Sequence, residues 1–345
     1  MPLTQVDQGL LGQYAQYTGF KNRIINGGMQ VNQRGGTISA SGTVNTYGVD
    51  RFAIRSTSGS VVTSMQQSTV APTGFYNSLL CTVTTADTSL ASDDLTALHQ
   101  KVEGVNVADL GWGAAGAQAV TLSFWVRSNL TGTYGVGVQN NDSNRSYPST
   151  YTINSANTWE YKTVTIPGDT TGTWNLGTTS TALYVFFSLS AGSGFTGGTT
   201  NAWNASDRRG ASGQVNWGAT LSNNFYITGV QLEEGSTATS FDYRPYGTEL
   251  ALCQRYFYAP ASRTGSVVVR ISSTTNCTLP VSMRTTPTLA VFGVGGWAGG
   301  TSGTYDQDVV GNTSATISSG SNTREFWITP SAGVGWASFT ANSEL

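Results

Sequence analysis

The stretch AVTLSFWVRS, residues 119–128, alternates apolar and polar side chains with a period of two. In a strand that spacing sends Val120, Leu122, Phe124 and Val126 to one face and Thr121, Ser123, Trp125 and Arg127 to the other. The first set is the core face. Trp125 then stands on the opposite face, where it either lines a ligand groove or packs beneath a loop. Working outward, β-branched and aromatic enrichment recurs at 51–57 (RFAIRST), 60–67 (SVVTSMQQ), 78–85 (SLLCTVTT), 133–140 (TYGVGVQN), 158–166 (TWEYKTVTI), 182–190 (ALYVFFSLS) and 224–234 (NFYITGVQLEE). Polar, glycine-rich turns such as NDSNRS and PGDTTGT separate these runs. The 42 glycines, with Ser, Thr and Asn filling the gaps, leave few windows with helical periodicity. Many short strands of this kind predict an all-β chain built as a β-sandwich or jelly roll.

One segment breaks the pattern. TELALCQRYFY, 248–258, offers Thr248 as an N-cap, Glu249 in a first turn, and Leu250, Cys253 and Phe257 at spacings of three and four. Pro245 and Gly247 precede it and Pro260 follows, so a short helix is expected as a boundary. A second β-rich stretch then runs through SVVVRIS, LAVFGV, EFWIT and VGWASF. The predicted division is an N-terminal arm at 1–22, a sandwich at 23–246, a helical connector at 247–260 and a small β domain at 261–345. The arm places Leu10, Leu11, Tyr14, Tyr17 and Phe20 in a polar background, as expected of a segment that orders on a partner or lies along its own domain. The Gly-rich stretch GGWAGGTSGTYDQD from Gly295 reads as a long exposed loop and a candidate distal tip.

Charge removes several function classes. Only 10% of residues are charged, and 17 Lys and Arg against 19 Asp and Glu give a formal net charge of -2. No broad field draws in nucleic acid or an anionic membrane face, so neither is an expected partner. No stretch approaches the apolar length of a membrane span, and MPLTQVDQGLLGQYAQ lacks the pattern of a secretory signal, which predicts a soluble cytoplasmic product released by another route. Cys81, Cys253 and Cys277 are widely and irregularly spaced, which favours buried thiols over disulfides or a metal site. With one histidine, His99, a multi-histidine metal site is excluded, and the residue itself reads as a surface or lightly buried position. No GxSxG elbow and no phosphate-cradling loop occur, and no cofactor is expected. Paired carboxylates are the remaining catalytic device. Asp93 with Asp94, and Glu233 with Glu234, are adjacent and point apart on a strand. Asp306 and Asp308 alone can face together as a glycan-cleaving pair. That enzyme reading predicts reducing-end release lost in Asp306→Ala or Asp308→Ala.

What remains is aromatic surface: nine Trp, 15 Tyr and 13 Phe, many in polar loops such as LGWGAAG, GTWNLG, NAWNAS and QVNWGAT. Flat rings stack on the C–H face of a pyranose while amides and hydroxyls bond its hydroxyl groups. Trp112, Trp174, Trp203 and Trp217 are therefore the candidate carbohydrate-binding residues, with Tyr147 and Tyr151 as secondary candidates. The alternative is that these rings anchor their loops or fill subunit interfaces.

Several motifs in order carry a resemblance: TGFKNRIINGGMQVNQRGG (18–36), YGVDRF (47–52), QKVEGVNVADLGWG (100–113), VTLSFWVRS (120–128), NTWEYKTVTIPGDTTGTW (157–174) and FYITGVQLEEGSTATSFDYRPYGTELALCQRYF (225–257). Over roughly residues 18–258 the chain resembles tail-fibre and related virion proteins of tailed bacteriophages. LPVSMRTTPTL (279–289) and ASFTANSEL (337–345) resemble the ends of such proteins. The resemblance implies a jelly roll similar to carbohydrate-binding modules, and a noncatalytic virion component, assembled in the host cytoplasm, that recognises host surface polysaccharide. It also implies a homotrimer attached to other virion proteins through the arm at 1–22. A structural or decoration protein of the virion is the alternative; a tailspike glycan-cleaving enzyme is a third reading. Many related modules hold a structural calcium, but here Gly28 and Thr228 stand where an acid is expected, so no metal is predicted.

Overall fold

A computed structural model describes residues 21–42, 45–57, 61–259, 269–271, 275–293, 302–307, 312–319, 323–330 and 335–345. Two six-stranded antiparallel sheets face each other. The first runs β1 (Ile38–Ala40), β4 (Val62–Ser68), β5 (Ser78–Thr85), β12 (Asn224–Glu234), β7 (Val120–Ser128), β10 (Glu160–Ile166). The second runs β2 (Thr46–Tyr47), β3 (Ala53–Ser56), β6 (Leu95–Glu103), β11 (Thr181–Ala191), β8 (Gly132–Asn140), β9 (Ser146–Ile153). From β5 onward the chain changes sheet after β5, β6, β7, β9, β10 and β11, so apart from the β8–β9 hairpin the paired strands are distant in sequence. That is the winding of a jelly roll.

The alternation read from β7 holds. Val120, Leu122, Phe124 and Val126 are each 0% exposed. They meet Phe225 and Ile227 on β12, Leu98 on β6, and Val185, Phe187 and Leu189 on β11, all within one buried cluster. Each such side chain contributes about 1.5–3 kcal/mol on burial. Four strands of the sandwich were not legible: β1 and β2 are only three and two residues long, and β6 and β9 hide their pattern. β6 is buried on both faces, so LTALHQKVE shows no clean alternation, and β9 contains Pro148, tolerated because β9 is an edge strand.

Residues 21–34 wrap the sandwich through polar side chains. Asn26, at φ 60, donates from its amide to the carbonyls of Val31 (2.8 Å) and Asp50 (3.0 Å) and accepts from Val31 N–H (2.9 Å). A Cβ on Gly27 would lie 2.1 Å from the Val230 carbonyl oxygen, so the NGG of this motif lets two backbones touch. After the single turn α1 (Ser193–Thr196), the expected helix, α2, spans Tyr246–Gln254 and begins earlier than Thr248 predicts, because the Pro245 carbonyl accepts from Thr248 N–H (2.9 Å) and Glu249 N–H (3.1 Å). Gly247 lies inside the helix. Phe257 falls past its end, in β13 (Phe257–Tyr258).

After α2, an eight-stranded sheet comprises β13, β14 (Val269–Ile271), β15 (Thr275–Thr278), β16 (Thr288–Gly293), β17 (Ser302–Gln307), β18 (Asn312–Ser319), β19 (Glu325–Pro330) and β20 (Gly335–Asn342). The last residues return to the sandwich: Glu344 pairs with the buried guanidinium groups of Arg34 (3.2 Å) and Arg51. Arg51 lies 3.4 Å from the Tyr256 ring centre and Arg34 3.8 Å from that of Phe257. Residues 302–307 of the expected Gly-rich loop are strand, and residues 1–20 of the expected arm and 295–301 of the expected tip lie outside the described residues. Asp306 is placed on β17, and Asp308 is outside the described residues. Cys81, Cys253 and Cys277 are buried free thiols.

Candidate functional site

The structure brings four of the six predicted residues together, but as packing. Trp112, Trp174 and Trp203 meet edge to face with centroids 4.7–5.7 Å apart, and Tyr147 joins Trp203 at 5.3 Å. Their polar ends are all spoken for: Trp112 donates to the Gln118 carbonyl (2.7 Å), Trp203 to that of Pro167 (3.0 Å), and Trp174 to Asp169 (3.3 Å). Asp169 also takes a two-pronged contact from Arg145 (2.6 and 2.7 Å), and that hydrogen bonding raises the guanidinium's pKa further. Trp112, Trp174 and Tyr147 are buried, and only Trp203 is partly exposed. Loop tryptophans thus pin the 111–118, 167–175 and 199–208 loops to one end of the sandwich.

Trp217 and Tyr151 are core residues elsewhere. Trp217 is fully enclosed. Tyr151 stacks on Tyr134 (5.6 Å, 16°) and meets Phe124 edge on, and burial drives its phenol pKa well up. With their faces covered, Trp112, Trp174, Trp217, Tyr147 and Tyr151 cannot stack on a sugar. Loop anchoring describes Trp112 and Trp174, whereas Trp217 and the β9 residues Tyr147 and Tyr151 pack in the core.

The open aromatic surface lies on the outer face of the first sheet. Trp125 on β7 stands opposite Tyr161 on β10 in register, their ring centres 5.4 Å apart. Beside Trp125, β12 carries a bulge between Thr228 and Gln231, with Gly229 at φ 62. A Cβ there would come 2.7 Å from Phe75 and 3.1 Å from Trp125, so the bare backbone lets the rings close over it. Phe75, Phe241 and Tyr243 form a triad with centroids 4.9–5.6 Å apart.

Between these groups runs a groove of about 480 Å³. Aromatic rings line it, and the hydroxyl-bearing residues Thr73, Ser123, Thr239 and Ser240 complete the lining; no charged residue is part of the lining, although Lys21 donates to Thr239 Oγ1 behind it. Its rim is tied down. Glu233, one of the carboxylates weighed for catalysis, is buried and accepts from Thr239 N–H (2.8 Å) and Oγ1 (2.6 Å). Gln231 accepts from Asp242 N–H (2.8 Å), and Tyr243 donates to the Gly74 carbonyl (3.0 Å). Tyr161 and Tyr243 are 44% and 56% exposed, so their faces are available.

Neither Thr228, whose hydroxyl donates to the Asn77 carbonyl (2.8 Å), nor Gly28 supplies a carboxylate at the positions where the resemblance leads one to expect a calcium ligand. Among the described residues no group of three or more His, Cys, Asp or Glu is placed to hold a metal.

No protein-family model and no curated protein matches the chain. Among solved structures it is similar to the enzymatically active domain of bacteriophage CBA120 tailspike protein 4, at 10% identity and TM-score 0.33, over 62% of this chain and 22% of that one. It is similar to a putative sugar binding protein from Bacteroides thetaiotaomicron, at 11% identity and TM-score 0.37, over 62% of this chain and 100% of the other. A third likeness is to a family 11 carbohydrate-binding module from Clostridium thermocellum in complex with a mixed-linked tetrasaccharide (12%, TM-score 0.30, 59% and 98%). At these identities and scores the likenesses assign neither ligand nor activity.

Trp125 was legible as an outward-facing ring. Tyr161 was also available in TWEYKTVTI, where it alternates with Val164 and Ile166 in facing. Phe75, Phe241 and Tyr243 lie in irregular segments whose approach to β12 no local pattern announces.

Proposed function

We propose that the chain is a noncatalytic carbohydrate-recognition subunit of a phage virion, and that it holds a neutral stretch of host surface polysaccharide in the groove beside Trp125 and Tyr161. The observation that carries this reading is the lining itself: exposed aromatic rings bordered by hydroxyl groups, without a charge. Sugars match such a surface, offering C–H faces to rings and hydroxyls to hydroxyls. The virion assignment and its homotrimer rest on the motif resemblance over residues 18–258. Repetition of one weak site in an oligomer raises avidity by about 10²–10⁴ without new contacts.

Titration calorimetry of the full chain against a panel of bacterial surface polysaccharides tests the proposal. Trp125→Ala and Tyr161→Ala each weaken binding about tenfold or more, the equivalent of one lost ring contact. Affinity changes little between low and high salt, because no ion pair is made. Binding that survives both substitutions, or release of reducing ends during incubation, overturns it.

A further inference from the structure

The outer face of the second sheet, opposite the groove, gathers cations that carbohydrate stacking does not use. Strand register sets Ala53 of β3 opposite His99 of β6, Arg55 opposite Ala97, and Tyr184 of β11 opposite Lys101. On its other side the buried Phe186 of β11 stands opposite His99, and Arg55 and Lys101 lie on the same face, near enough for their charges to act on the imidazole. Tyr184 closes another side, its ring 5.9 Å from that of His99 and 5.2 Å from Lys101 Nζ. The connection between β11 and β12 adds Arg209. Its partner Asp207 is fully engaged, by Arg209 at 2.7 and 2.8 Å and by Gln139 at 2.6 Å.

His99 is 5% exposed rather than superficial, and its Nε2 is buried with no hydrogen-bond partner; Arg55 Nε is buried and unpartnered as well. Buried polar atoms are nearly always satisfied, so two such nitrogens on one face mark a missing partner. Burial, then the charges of Lys101, Arg209 and Arg55, hold the imidazole down at about 3. Burial and the neighbouring Arg51 and Arg55 likewise hold Lys101 at about 8. Lys101 donates to the Leu345 carbonyl, and nearby Glu344 is taken by Arg34 and Arg51. The carboxylates near this face, Asp207 and Glu344, are thus matched to Arg209, Arg34 and Arg51, and neither bonds His99 or Arg55.

We propose that this face binds an oxyanion, such as a carboxylate or phosphate group, among Arg55, His99, Lys101 and Arg209. Arginine and protonated imidazole make strong charge-assisted bonds to such oxygens. The incoming anion offsets the crowding of positive charge, and His99 takes up a proton at Nε2 and becomes a donor. Binding therefore tightens as pH falls below neutrality.

His99 is the sole histidine, so its imidazole carbon–proton resonance reports the site without ambiguity. The full chain is titrated with inorganic phosphate, sulfate, glucuronate and, as a neutral control, glucose, at constant ionic strength. The expected result is a saturable shift with at least one oxyanion, none with glucose, and an upward move of the imidazole titration midpoint. Saturation by phosphate but not glucuronate assigns a phosphate-bearing ligand, and the converse an acidic sugar. Arg55→Gln and Lys101→Gln each weaken binding about tenfold, the loss expected for one charged hydrogen bond, while Trp125→Ala leaves it unchanged, which separates this site from the groove. Shifts that never saturate in the wild-type chain, or saturation unaltered in both cation variants, refute it.

Discussion

Gly229→Ala tests whether the β12 bulge shapes the groove. Gly229 holds φ 62, and an added Cβ would stand 2.7 Å from Phe75 and 3.1 Å from Trp125. A left-handed backbone costs an L side chain about 1–2 kcal/mol. The crowding adds about 1–3 kcal/mol if both rings stay put, and less if the half-buried Phe75 swings aside. A loss of roughly 2–5 kcal/mol follows, which lowers Tm by roughly 4–20 °C at the 2–4 °C per kcal/mol typical of a domain this size. Differential scanning calorimetry reads that shift. Titration with a polysaccharide bound by the wild type reads the second consequence, a loss of affinity of about tenfold or more as the rings part. The matched control is Gly247→Ala in α2, where nothing lies within 4 Å and φ is ordinary; it stabilises by about 0.5–1 kcal/mol. Unchanged Tm and affinity in Gly229→Ala would show that neither the strain nor the ring contacts exist.

Trp217→Ala empties a fully enclosed site and costs about 3–5 kcal/mol in denaturant unfolding, with no direct effect on sugar affinity once folded. Asp169→Ala leaves Arg145 without its carboxylate and Trp174 with the Thr171 carbonyl as its remaining acceptor; breaking such a pair costs about 3–5 kcal/mol, and hydrogen exchange speeds up in the loops at 111–118 and 167–175. The pH dependence carries a signed test. His99 titrates near 3 in the folded chain against 6.5 when free, so its contribution is complete above 6.5 and is lost as pH falls toward 3. Its slope reaches at most about 1.4 kcal/mol per pH unit. Urea unfolding at successive pH values shows that limb in the wild type and not in His99→Gln; equal slopes contradict the buried neutral imidazole. Glu344→Ala takes the carboxylate from Arg51 and leaves Arg34 with Asp50 alone, and it increases exchange in β13 and β20, whereas unchanged protection there shows that these ion pairs do not hold the last residues to the sandwich.

Where polar and β-branched or aromatic residues alternate, the strand is written in its residues: β5 and β12 fall at the residues read from the chain, and β7 begins one residue inside its run. β6 escaped because polar His99, Gln100 and Lys101 follow one another in LTALHQKVE, which breaks the alternation. The same limit governs the site. Composition says that tryptophans sit in polar loops, but not whether a loop folds its ring inward, and Trp112, Trp174 and Trp217 do so. Trp125 was different because its strand fixes its direction independently of any loop. The triad of Phe75, Phe241 and Tyr243 depends on two irregular segments meeting over Gly229, a contact between residues far apart in sequence.

Chemical-shift mapping of the full chain with a bound oligosaccharide bears most directly on where recognition happens. The account predicts perturbed amides centred on Ser123, Trp125, Tyr161, Gly229 and Thr239, with intermolecular contacts between sugar protons and the Trp125 ring. Perturbations confined to the loops around Trp112, Trp174 and Trp203, with the first sheet silent, would contradict it.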